Sequence, residues 1–129
     1  MNITPNVPLR VLILDDQAGF RRTLSQLLAA AGLQVVGEAG DIPTAQALAE
    51  SLQPDLAVID LFLEGVTGIQ AAHRIRQVSP LTRLILVSAY DGQVDLFQSA
   101  AAAIGAESFI PKDALDLALV RTWVCGPQS

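Results

Sequence analysis

Short apolar runs alternate along this chain with stretches whose apolar residues recur every third or fourth position. Runs at 9–14, 34–38, 55–60, 83–87 and 107–110 have the length and the branched, leucine-rich content of strands. Helical spacing covers 20–31, 42–52, 68–77, about 93–104 and 113–124. In the first of these Phe20, Leu24, Leu27, Leu28 and Ala31 fall on one face, and Gly32 is a natural stop. Asp41 with Pro43 behind it marks the start of the second helix. Gln53-Pro54 and Ser79-Pro80 break the chain after the second and third helices, and Gly105 caps the fourth.

The pattern predicts strand then helix, repeated five times. Strands that are apolar along their length are buried on both faces, so the sheet should be parallel with helices on each side. The expected fold is α/β: a flavodoxin-like, doubly wound, five-stranded parallel sheet with strand order 2-1-3-4-5. The expected organisation is a proline-bearing leader over 1–8, one domain over 9–124 and a tail over 125–129.

Composition narrows the function classes. A chain of 129 residues that is 51% hydrophobic can build one core and is no disordered segment. The net charge of −5 argues against a diffuse grip on DNA, so no direct nucleic-acid contact is expected. Cys125 is the only cysteine and cannot form an internal disulfide, which fits a reducing cytosol. No signal peptide is visible in 1–10, and no apolar run approaches the roughly 20 residues that span a bilayer. The expectation is a cytoplasmic protein with no membrane partner.

Ligands of an open parallel sheet bind beyond the carboxyl ends of its strands. Here those ends carry the polar residues: Asp15-Asp16 on the first strand, Asp60 on the third, Ser88 on the fourth and Lys112 on the fifth. The first and third strands are neighbours in the expected order, which gathers three carboxylates. Such a cluster repels itself unless a cation sits in it. Mg2+ suits an all-oxygen set, with Mn2+ as the second candidate, and the lack of His or Cys at these ends argues against zinc. One carboxylate can then attack phosphorus while a lysine and a hydroxyl stabilise the transferred oxygens. Each residue alone has an ordinary reading, as a cap, a loop serine or a solvated lysine. The conjunction at four strand ends carries the argument.

The motifs Val11-Leu-Ile-Leu-Asp-Asp16, 55–63 with Gly68 eight residues after Asp60, 84–90 and 105–112 resemble those of response-regulator receiver domains of two-component systems, the chemotaxis-regulator-like superfamily. The resemblance covers 9–124. It implies that Asp60 accepts a phosphoryl group from a histidine kinase or histidine phosphotransfer protein. It also implies that Asp15, Asp16 and Asp60 hold Mg2+ with the backbone carbonyl of Phe62. Ser88 is the implied switch hydroxyl, Lys112 the phosphate-pairing lysine and Phe109 the aromatic switch residue. On its own, Phe109 is equally well read as a core aromatic. The implied output is a changed surface built from the fourth helix, fifth strand and fifth helix, open to a second copy or an output domain. Such a protein is a bacterial phosphoacceptor that assists its own phosphotransfer and dephosphorylation, and not an enzyme in the usual sense.

The chain departs from the family pattern in places. Glu64 stands where the family usually has proline, so a looser loop and an altered metal affinity are expected. Phe62 and Tyr90 form an apolar pair that should shield the acylphosphate and slow its hydrolysis. Ser88 and Lys112 lie about two residues further apart than usual, the excess falling before Gly105. The fourth helix is poor in charge, which fits either a well-buried helix or an apolar partner surface. On the last helix Leu115, Leu117, Leu119, Val120, Trp123 and Val124 exceed one buried stripe. His73, the only histidine, reads as an exposed helix residue.

Other classes fit less well. A degenerate, never phosphorylated receiver acting as an interaction module is disfavoured because none of the five key positions is substituted. A phosphatase of the haloacid dehalogenase type would open with Asp-x-Asp, which Asp15-Asp16-Gln17 lacks. A flavin binder needs a Ser/Thr/Gly-rich first loop, where this chain has Asp16-Gln-Ala-Gly19.

Overall fold

The computed structural model describes residues 7–89 and 94–124, with backbone alone for 94–97. In chain order the elements are β1 (Arg10–Leu14), α1 (Ala18–Ala30), β2 (Gln34–Ala39), α2 (Ile42–Leu52), β3 (Leu56–Asp60), β4 (Phe62–Leu63), β5 (Val66–Thr67), α3 (Gly68–Val78), β6 (Arg83–Ser88), α4 (Val94–Ala103), β7 (Ser108–Pro111) and α5 (Leu117–Val124). Five strands form one parallel sheet in the order β2-β1-β3-β6-β7, which is the expected 2-1-3-4-5 once the small β4–β5 hairpin is set aside.

Alternation along each strand divides the core into two halves. Leu12, Leu14, Ala57, Ile59, Leu84 and Leu86 face α2, α3 and α4 and meet Ala45, Ala49, Ala71, Ala72 and Ala101. Val11, Ile13, Val58, Ile85 and Val87 face α1 and α5 and meet Leu24, Leu28, Val120 and Trp123. Burial of both faces explains why the strands read as unbroken apolar runs.

The helix ends follow local chemistry. Asp41 Oδ1 accepts from Thr44 N at 2.8 Å and caps α2. Gly32 and Gly105 sit at φ +89° and +78° just past α1 and α4, in the left-handed region that glycine enters without strain.

Two features differ from the sequence reading. The hairpin was not expected, because two-residue strands carry no periodicity; Gly65, at φ +77°, lets the chain turn there. The last helix does not run from 113. Lys112–Ala114 forms a 3-10 turn, Leu115 is extended, and Asp116 Oδ1 accepts from Leu119 N at 2.8 Å. Asp116 thus starts α5 with a cap of its own, which ends any continuous helix upstream. Within α5, Val120 and Trp123 are buried, Leu117 is half-buried and Val124 is exposed. Of residues 98–103 in α4 only Ala101 is buried, so this stretch is not a well-buried helix. His73 is exposed, as expected.

Candidate functional site

The sheet register assembles the site. Leu14 pairs with Ile59, so the next residues, Asp15 and Asp60, emerge side by side at the carboxyl rim. On the other flank Asp60 pairs with Val87 and Ser88 pairs with Pro111, so Ser88 and Lys112 each follow one step further along. Ser88 is the last residue of β6 and is buried, as are Asp15 and Asp60; Asp16 is exposed.

Asp15, Asp16 and Asp60 each offer a carboxylate oxygen, and these atoms lie within 4.8 Å of one another. Backbone amides fix the three side chains. Gln17 N donates to Asp15 Oδ1 at 2.8 Å, Phe62 N to Asp60 Oδ1 at 3.2 Å, and Glu64 N to Asp16 Oδ2 at 3.0 Å. The last bond uses an amide hydrogen that a proline would lack, so Glu64 joins the hairpin turn to the acidic cluster. Arg21 Nη1 donates to the backbone carbonyl of Asp15 at 2.5 Å. An all-oxygen set that combines buried and exposed carboxylates suits a hard divalent cation such as Mg2+.

Lys112 Nζ lies 2.7 Å from Asp15 Oδ2 and 3.5 Å from Asp60 Oδ2. Burial, and then the neighbouring charge of Asp15, push the Asp60 carboxyl up to about 6, against the opposing pull of Lys112 and of the Phe62 amide. A carboxylate held reluctantly ionised beside a lysine can act as a nucleophile toward an electrophile that brings its own anionic oxygens.

Gly68 sets the position of Asp60 from below. Its amide donates to Leu61 O at 2.6 Å, and a Cβ there would overlap the carbonyl oxygen of Asp60 and come within 2.8 Å of Leu61 Cα. Only a glycine lets α3 start this close to the end of β3.

A cleft of about 410 Å³ opens here, lined by Asp16, Gln17, Asp60, Phe62, Leu63, Glu64, Ala89 and Lys112. Phe109 is half-buried against the α2/α3 half of the core. Tyr90 lies outside the described residues, as do the leader up to residue 6 and the tail from 125. Among the described residues no helix is long and apolar enough to cross a membrane. One contact went unforeseen: the Phe20 ring lies under the Lys112 ammonium, with 4.0 Å from Nζ to the ring centroid. Its place on the apolar face of α1 disguised it as an ordinary core residue.

Known proteins resemble this chain in sequence and fold. A family model described as the response regulator receiver domain matches residues 11–122. The transcriptional regulatory protein PdtaR of Mycobacterium tuberculosis is 39% identical over 108 residues, which are 82% of this chain and 50% of its own. The chemotaxis protein CheY of Thermotoga maritima is 34% identical over 103 residues, 80% of this chain and 84% of its own. A crystal structure of a LuxR-family two-component response regulator from an Aurantimonas species superposes with a TM-score of 0.82 at 30% identity, covering 95% of this chain and 89% of that one. The chain spans about half the length of PdtaR and of the M. tuberculosis NarL that it also matches. With the family match extending over nearly the whole domain, the chain belongs to the response-regulator receiver domains of two-component signalling.

Proposed function

We propose that this receiver is a phosphorylation-dependent switch in which Asp60 takes the phosphoryl group, delivered by a histidine kinase or a histidine phosphotransfer protein. The observation that carries this reading is the placing of a buried, raised-pKa carboxylate between two further acids and a lysine 3.5 Å away. In the transfer an Asp60 oxygen attacks phosphorus, and the bond from phosphorus to the donor's nitrogen or oxygen breaks with its electron pair on the leaving group. Asp15, Asp16 and Asp60, with the Phe62 carbonyl, would hold Mg2+ or Mn2+, which supplies positive charge to the phosphoryl oxygens when bound. Lys112 and Ser88 stabilise those oxygens from the other side.

The added charge shifts an equilibrium between two conformations, with Ser88 and Phe109 as the moving residues. The surface of α4, β7 and α5 then changes toward a second copy or an output domain. Phe62, half-buried in the cleft wall, favours a long-lived acylphosphate together with Tyr90.

Incubation with acetyl phosphate and Mg2+, followed by intact mass, tests this. We expect one added phosphoryl group on the wild type and none on Asp60→Asn, with a label that outlasts minutes at neutral pH. An unlabelled wild type, or an Asp60→Asn variant that labels equally, rules the reading out; loss within seconds removes the shielding role alone.

A further inference from the structure

Among the described residues, the contacts of the Lys112 ammonium include an aromatic ring as well as two carboxylates. Besides Asp15 Oδ2 and Asp60 Oδ2, at 2.7 and 3.5 Å, the Phe20 ring centroid lies at 4.0 Å. Phe20 stands near the start of α1, half-buried, and packs on the same half of the core as Leu24 and Leu28. That apolar stripe would be served as well by leucine. An aromatic face adds what leucine lacks: attraction for a cation.

We infer that Phe20 is a positioning residue for phosphoryl transfer, its ring face holding the Lys112 ammonium over Asp60. The inference rests on the reading of Asp60 as the phosphoacceptor. The three attractions differ in how long they last. Asp15 and Asp60 are the carboxylates that a bound cation engages, and Asp60 gives up its charge as its oxygen bonds to phosphorus. The ring's quadrupole is changed by neither event. Its attraction is also weakly directional, so the ammonium can pivot on the ring toward a phosphoryl oxygen without first breaking a directional bond. Lysine otherwise has a long, flexible stem with many rotamers. A ring on one side restricts it to those that keep the charge at the rim, consistent with a side chain only 13% exposed.

Phe20→Leu keeps the apolar stripe, and Phe20→Tyr keeps the ring. Each is made in the full chain, with Lys112 intact and in a Lys112→Met background, and labelled with acetyl phosphate and Mg2+. With Lys112 intact, Phe20→Leu should label about threefold to tenfold more slowly, and Phe20→Tyr within about twofold of the wild type. In Lys112→Met, Phe20→Leu should add no further loss, because the group on which the ring acts is gone. A second readout needs no phosphate. The Lys112 ε-methylene protons should resonate upfield, shifted by the ring current, in the wild type and Phe20→Tyr, and at an ordinary position in Phe20→Leu. Equal slowing in both backgrounds, unchanged labelling by Phe20→Leu, or unshifted ε-protons in the wild type overturns the inference. A wild type that takes no label overturns the phosphoacceptor reading and the inference with it. One that labels while Phe20→Leu labels as fast overturns the inference alone.

Discussion

At the amino ends of the strands, Ser79 and Thr82 are buried and fully engaged. Their hydroxyls share a hydrogen bond of 2.5 Å, and Thr82 Oγ1 donates to Pro54 O at 2.8 Å. That leaves the Ser79 hydroxyl as the donor to Thr82 Oγ1, with Gln53 Oε1 at 3.2 Å as its alternative acceptor, while Gln53 Nε2 donates to Val78 O at 2.9 Å. At the carboxyl ends, Asp15 and Asp60 are just as buried, but they are like charges, and ionisation of Asp60 is opposed. One end spends its polar groups on stability; the other keeps them in tension. Buried polarity is therefore no single signal. Mutual satisfaction marks a structural joint, and like charges gathered at a rim mark a candidate site for a ligand.

The largest effect is expected where backbone packing and the charged end meet. Gly68→Ala forces a methyl group onto the Asp60 carbonyl and should lower stability by about 3 kcal/mol, measured by urea unfolding. It should also cut labelling of the remaining folded protein more than about tenfold, since Asp60 must shift. A fully labelled, stable Gly68→Ala would show that the rim tolerates displacement.

Next comes the satisfied end. Thr82→Val keeps the shape but strands the Pro54 carbonyl and one bond of Ser79, which should cost about 2 kcal/mol. Labelling kinetics of the folded variant should match the wild type. Slower labelling would mean that the two ends are coupled through the sheet.

The smallest effect has the opposite sign. A carboxyl raised from 3.8 to about 6 in the folded state binds its proton more tightly there than in the unfolded chain. Its penalty is absent below the ordinary value, grows as pH rises, and is complete above about 6. Metal-free Asp60→Asn should therefore be more stable than the wild type at pH 7.5, by about 1–2 kcal/mol after allowance for screening at the rim. The advantage should vanish below pH 4 or so. Thermal unfolding of both proteins across this range checks it; a wild type more stable than the variant at pH 7.5 would remove the tension ascribed to this end.

The sheet was legible because burial on both faces leaves unbroken apolar runs, and the flavodoxin-like order expected of such a sheet is what brought the acidic strand ends together. Asp15, Asp16, Asp60, Ser88 and Lys112 were legible because each stands where an apolar strand gives way to a polar residue. What stayed hidden depends on local or distant geometry. The β4–β5 hairpin is too short for periodicity, and its link from the Glu64 amide to Asp16 is a backbone contact that side-chain identity does not encode. The true start of α5 depends on the Asp116 cap, a local hydrogen bond that apolar spacing over 113–124 does not show. Phe20 fitted the apolar stripe of α1 so well that nothing in its spacing pointed to Lys112.

Trp123 is the only tryptophan in the sequence, and it is buried where α5 lies against the sheet and α1. Its emission therefore has a single address. Excited selectively, it works as a built-in lamp at the base of α5, dark to events elsewhere unless they travel there. A red shift that follows labelling would time the loosening of that helix from its seat. Steady emission during full labelling would mean that the signal leaves through α4 and β7 while α5 stays docked.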